Sequence, residues 1–169
     1  ASTKEFLEAT QYAIKTERMI DREYITRFIA FTELDYKKEY KGNIDNFLIK
    51  AMKKVNNYSE SDLGRIRENF KIIMIYCNKI FGRYAFRKYS PEYRRGPINK
   101  AIFEMWSVVF EKLDTDELDL LLKNKESFLD AFQKLQNNKE FSVALKAGDQ
   151  YSMAKRMAMA LELVREYIC

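Results

Sequence analysis

Five cations, Arg83, Arg87, Lys88, Arg94 and Arg95, stand in a stretch ending at Pro97 that holds one acid, Glu92. Four rings, Tyr84, Phe86, Tyr89 and Tyr93, are interleaved among them. Guanidinium and ammonium groups neutralise phosphates, and aromatic faces stack on bases, so this mixture suits a single-stranded or flexible nucleic acid or a nucleotide phosphate. The stretch carries +4 of a total net charge of +5, which leaves the rest of the chain close to neutral. The plainer reading is that Phe86 and Tyr89 anchor a loop while the arginines stay solvated or pair with acids elsewhere.

Three further groups invite a chemical reading. Arg18, Asp21, Arg22, Glu23 and Arg27 crowd the start of an otherwise apolar helical pattern. Their structural reading has Asp21 as helix cap and Glu23 pairing with Arg27 one turn on; in the functional one, Arg18, Arg22 or Arg27 reaches an anionic ligand. Asp114, Asp116, Glu117 and Asp119 cluster at a helix start, where carboxylates are favoured in any case, and no Gly-containing calcium loop follows. Met153, Met157 and Met159 offer either an adaptable partner surface or core at helical spacing.

The chain has no histidine. That removes histidine-dependent triads, HNH and HD nucleases, the usual zinc hydrolases and most imidazole acid–base chemistry. No Walker A loop and no GxGxxG is present either. The expectation is a chain without catalytic residues, bound cofactor or metal, an enzyme built on carboxylates, Lys or Tyr being the residual alternative. Cys77 and Cys169 lie far apart and read as reduced thiols of a cytoplasmic protein, with a mutual disulfide as the alternative. No apolar run approaches the ~20 residues of a membrane span, and no leader pattern opens the chain. The absence of an initial Met suits a processed product or a piece of a longer protein.

Five Gly and two Pro are too few for the turns of an all-β domain. The expected fold is all-α, a single domain over residues 1–169 forming a compact bundle of about seven helices without significant sheet. Ser2 and Glu5 form a capping box for a first helix to about Lys15. Asp21 caps a second helix through Ile25, Phe28, Phe31 and Leu34, with Ile20 stapled onto Ile25, and Lys41-Gly42-Asn43 ends that pattern. A third helix spans Ile44 to Val55, and the link from Asn56 to Ser61 caps the next. Leu63, Ile66, Phe70, Ile73, Cys77, Ile80 and Tyr84 then form a 3.5-residue seam, widened by Ile72, Met74 and Phe81 into a central core helix. Pro97 opens a fifth helix from Ile98 to Leu113. Asp114 or Thr115 caps a sixth that runs through Leu135. A short segment from Phe141 to Lys146 and a last helix from Ser152 complete the chain.

Four strings taken in order resemble a known family: Arg18 to Phe31 (RMIDREYITRFIAF), Phe47-Leu48 with Ala51-Met52, Ile80 to Arg87 (IFGRYAFR) and Pro97 to Glu104 (PINKAIFE). Together they are similar to the C-terminal helical half of the GmrS-type family of prokaryotic proteins, over roughly residues 5–110. In that family a ParB/sulfiredoxin-like nucleotide-binding domain precedes the helical region, and the GmrSD type IV restriction enzymes also carry an HNH nuclease domain. The family's Asp-Gly-Gln-Gln-Arg type string has no counterpart here, and without histidine there is no HNH centre. The resemblance therefore implies a helical part alone. It would be a non-catalytic module of a DNA-targeting, restriction-like defence protein that packs on an N-terminal nucleotide-binding domain. Arg18, Asp21, Arg22, Glu23 and Arg27 match the family string without an assigned role, and Arg83, Arg87, Lys88, Arg94 and Arg95 are the expected phosphate contacts. The alternative is a protein–protein interaction or scaffold domain without nucleic-acid binding.

Overall fold

The computed structural model describes residues 3–15 and 17–168, Arg18 without its side chain. Among the described residues every regular element is helical and no strand occurs. In chain order these are α1 (Lys4–Ala9), α2 (Ile20–Glu33) after a 3-10 turn at Glu17–Met19, α3 (Tyr36–Glu39), α4 (Ile44–Val55) and α5 (Glu60–Phe81). A second 3-10 turn, Gly82–Tyr84, leads into a long link; α6 (Lys100–Glu111), α7 (Thr115–Lys123), α8 (Lys125–Asn137), α9 (Lys139–Lys146) and α10 (Gln150–Arg165) follow. The expected all-helical class holds, with ten helices among the described residues rather than about seven. None of them is long and apolar enough to cross a membrane.

Several boundaries follow from local chemistry that the apolar spacing does not reveal. The first helix stops at Ala9, well short of Lys15. The Thr10 hydroxyl donates back to the carbonyls of Phe6 (2.8 Å) and Leu7 (3.2 Å), and Gln11 and Tyr12 both take a φ of 54°, where a right-handed helix cannot continue. Thr3 caps this helix, its hydroxyl accepting from the Phe6 N–H; the expected Ser2–Glu5 box lies outside the described residues. Asp21 is not the cap of α2 but a buried member of its first turn, after a left-handed Met19, and Ile20 is exposed rather than stapled. The sixth helix of the sequence pattern is two, broken at Asn124, whose side-chain amide donates to the Tyr167 carbonyl (2.9 Å). Pro97 stands outside α6, which Asn99 caps by accepting from the Ile102 N–H (3.1 Å). Ser59, within the expected Asn56–Ser61 link, and Asp114, one of the two residues expected there, cap α5 and α7 with reciprocal capping boxes.

The helix at the centre is α6, not α5. Every residue from Ile102 to Phe110 is buried, as an apolar run with one charge in it requires. By contrast α5 buries one face and leaves Ile72 and Ile75 exposed. Around α6 stand α2, α5, α9 and α10, with α4 closing on the far side of α2. Aromatic rings fill the spaces between. Trp106 packs against Phe81 (4.9 Å) and Phe132 (4.9 Å), Phe103 against Tyr24 (5.0 Å) and Phe86 (4.8 Å), and Phe31 against Phe47 (5.1 Å). Met153 and Met157 are core, with Met159 packed at its edge. Cys77 is also buried, which pushes its thiol pKa well above the usual range. Its pairing with Cys169 lies outside the described residues.

The single charge in the α6 run, Glu104, lies between two guanidiniums. Its Oε1 accepts from Arg27 Nη1 of α2 and its Oε2 from Arg156 Nη2 of α10 (3.1 Å). Arg27 also donates to Glu23 (2.7 and 2.9 Å), which in turn holds Lys100 (2.7 and 2.9 Å). Arg156 donates onward to the carbonyls of Ala144 (3.1 Å) and Ala147 (3.0 Å) at the end of α9. The chain of charges thus ties the middles of α2, α6 and α10 together and fastens the end of α9 to them. Burial raises the Glu104 pKa against the pull of both guanidiniums. Burial opposes the Arg27 charge too, but Glu104 and Glu23 outweigh it and leave the pKa raised.

Glu104→Ala strands two buried guanidiniums, and urea unfolding should register a loss of about 3–5 kcal/mol. Replacing Arg27, Glu104 and Arg156 together by apolar residues of similar volume should cost far less; an equal loss would mean that packing, not charge, is what the single change disturbs.

A second, more open pair adds a pH dependence. The Arg65 guanidinium grips Glu33 with two hydrogen bonds (2.8 and 3.0 Å) and the Tyr58 hydroxyl adds a third (3.0 Å). Burial works against the Glu33 charge, but these donors outweigh it and hold its pKa below the ordinary range. A carboxyl depressed in the folded state contributes stability above its unfolded pKa of about 4.3, and that contribution fades as the pH falls through the folded value. Urea midpoints should therefore drop on acidification below about pH 5, and Glu33→Gln should flatten that drop.

Candidate functional site

The cation-rich stretch forms the link between α5 and α6, and its backbone is fastened at both ends. Phe86, fully buried and with a φ of 59°, turns the chain inward, and its carbonyl accepts from the Asn99 N–H (2.8 Å). In this way the residue that caps α6 also closes the link. Tyr89 is zipped to α8, its N–H donating to Gln136 Oε1 (2.9 Å) and its carbonyl accepting from Gln136 Nε2 (2.9 Å). The one acid of the link, Glu92, accepts from Gln133 Nε2 (2.9 and 3.1 Å), a bond that lowers its pKa.

The five cations of the stretch separate into two kinds. Arg87 is buried. Its Nη1 donates to the Gly96 carbonyl (2.7 Å) and its Nη2 to that of Thr10 (3.4 Å), so it closes the loop on itself and onto the end of α1. This overturns the expectation that Arg87 presents its charge to a phosphate. Arg83, Lys88 and Arg94 are exposed and Arg95 is half-buried. Among the described residues none of these four has an acid within ion-pair distance. Burial, with the nearby Arg95 charge adding to it, lowers the pKa of Arg87.

The rings divide likewise. Phe86 belongs to the core beside Phe103 and has no face to offer a base. Tyr84 and Tyr89 meet edge to face (5.2 Å, 76°), and the Arg83 guanidinium lies over Tyr84 at 5.4 Å. Tyr93 is 76% exposed.

Two clefts flank the link and share Lys88. One, of about 480 Å³, is lined by Lys88, Tyr89, Tyr93, Gln133 and Asn137 among others. The other, of about 560 Å³, brings Lys88 together with Tyr24, Asn99, Lys100 and Lys146. Lys100, Lys146 and the two glutamines were not among the expected site residues. Lys146 and the glutamines stand far along the chain, and only the packing of α8 and α9 beside the link brings them near.

The charged group from Arg18 to Arg27 serves mainly the interior. Glu23 and Arg27 belong to the buried charge chain, Asp21 is buried, Arg22 is exposed with Nη1 3.8 Å from the Met19 sulfur, and the Arg18 side chain lies outside the described residues. In the acidic cluster, Asp114 and Glu117 cap each other's backbone N–H groups (2.9 Å each), and Asp119 accepts from the Tyr76 hydroxyl (2.6 Å). Compared with known proteins, the chain matches no family model, no curated protein and no solved structure.

Because Arg87 supplies the bonds that close the link, Arg87→Ala should cost about 1–3 kcal/mol in urea unfolding. Trypsin should then cut after Arg94 and Arg95 faster than in the parent; unchanged cleavage would mean that Phe86 and Asn99 suffice to hold the loop.

Proposed function

We propose that this chain is a non-catalytic helical module that binds nucleic acid through the phosphates, with Arg83, Lys88, Arg94 and Arg95 as the contacts. One observation carries the reading: four cations without acid partners among the described residues share a link whose only acid is taken up by Gln133. The exposed Tyr93 and the Tyr84–Tyr89 pair supply ring surface beside them, the combination that single-stranded nucleic acid exploits. The resemblance of the Arg18–Phe31 and Ile80–Arg87 strings to the GmrS-type family supports the wider setting. In it the module belongs to a DNA-targeting, restriction-like defence protein of the prokaryotic cytoplasm and packs on a nucleotide-binding domain.

A second reading, a docking domain for a protein partner with no nucleic-acid contact, draws on apolar side chains that α4 and α5 leave exposed, Ile49, Met52, Ile72 and Ile75.

Fluorescence anisotropy with a labelled single-stranded oligothymidylate separates the two. Four phosphate contacts imply a slope of about −3 in log K against log salt, and Arg94→Glu with Arg95→Glu should roughly halve it while weakening binding at least about tenfold. Absent or salt-independent binding by the parent chain would remove the nucleic-acid reading in favour of the second.

A further inference from the structure

We infer that the cleft between α2, the start of α6 and the end of α9 is a phosphomonoester site, and that its occupant is the terminal phosphate of the strand held along the link. The inference rests on the nucleic-acid reading above and deepens it. A terminal phosphate differs from the phosphodiesters behind it in carrying a charge nearer −2 than −1 and one more anionic oxygen, so it asks for more donors in one place.

The cleft supplies them from three independent sources. Lys88 and Lys146 are exposed on its walls with no acid partner among the described residues, and Lys100 is held beside them by Glu23. Among the described residues no acid lines the cleft itself. The second source is the first turn of α6. Asn99 uses its Oδ1 on the Ile102 N–H and its carbonyl on the Phe103 N–H (3.0 Å). The N–H groups of Lys100 and Ala101, two residues that line the cleft, have no partner among the described residues. Free N–H groups at a helix start favour an anion.

Tyr24 is the third source and the most telling. It is only 3% exposed, with its ring set edge-on to Phe103 (5.0 Å, 86°), and it lines the cleft. Among the described residues its hydroxyl has no hydrogen-bond partner, nor is that oxygen one of the fully enclosed unpaired atoms. A buried ring in the cleft wall, its hydroxyl without a partner among the described residues, is a donor available to an acceptor there. Burial, reinforced by the Glu23 charge, pushes its pKa to about 12, which keeps it an O–H donor across the physiological range. Lys88 lines both clefts, so a strand whose diesters lie along Arg94 and Arg95 passes it before ending here.

The test compares one labelled oligothymidylate carrying a 5′-phosphate, a 3′-phosphate or hydroxyls at both ends. One phosphorylated form should bind about tenfold tighter than the hydroxyl-ended strand, the worth of one or two charge-assisted hydrogen bonds. Tyr24→Phe, which removes an oxygen with no partner among the described residues, and Lys146→Ala should each shrink that preference without weakening the hydroxyl-ended strand. Equal binding of all three strands, with a normal salt slope, would overturn the terminal-phosphate inference and leave the nucleic-acid reading standing. If no strand binds but thymidine monophosphate does in calorimetry, and Lys146→Ala abolishes it, the cleft serves a free phosphomonoester and the strand is overturned. If neither binds, both readings fall.

Discussion

Glu104 is a carboxylate placed where the helix around it is otherwise apolar, and its two oxygens are claimed by guanidiniums from different helices. Either arginine alone would leave an oxygen short of a charged partner in a low-dielectric interior, and Glu104 alone would not survive as an anion. The three are tolerable only together. That condition fixes the heights of α2 and α10 against α6, because a shift of one helical turn moves a guanidinium by about 5.4 Å and breaks the pair. Apolar packing tolerates sliding better than hydrogen-bonded charges do. The aromatic clusters therefore supply most of the cohesion, and the charge chain selects one register from those that the rings would accept.

The placement of the link follows from that register. With α6 held, Asn99 at its cap is held, and through its bond to the Phe86 carbonyl so is the return point of the loop. Arg87 then reaches Gly96 across the loop and Thr10 at the end of α1, while Gln133 and Gln136 on α8 fix the outer half. A segment rich in exposed charge would ordinarily be mobile. Here its backbone is bound at both ends and in its middle, and Arg83, Lys88, Arg94 and Arg95 are left without an acid partner among the described residues.

Much of the fold was legible because it depends on near neighbours. The bounds of α4 follow from Lys41-Gly42-Asn43 and the cap at Asn43, the start of α5 from Ser59, and the Glu23–Arg27 pair from one-turn spacing. A lone Glu in the run Ala101 to Phe110 was itself a signal of a buried partner, though nothing local identified Arg27 or Arg156. Other features depend on contacts distant in sequence and left no trace. The break at Asn124 needs the Tyr167 carbonyl, and the distinction between Arg87 and Arg94 needs the carbonyls of Thr10 and Gly96. Two arginines a few residues apart look alike in a string. Only the packed chain makes one a strut and the other a surface group, and only the docking of α9 places Lys146 beside Lys88.

The separation of anchors from charges along the link has an evolutionary corollary. Phe86, Arg87 and Asn99 face inward and cannot vary without disturbing α1 or α6, whereas Lys88, Tyr93 and Arg94 touch little that the fold requires. Substitution can therefore vary the exposed side chains of the link while the scaffold beneath stays constant. A lineage under changing pressure can re-tune the loop's outer face one side chain at a time, with no loss of foldability along the way.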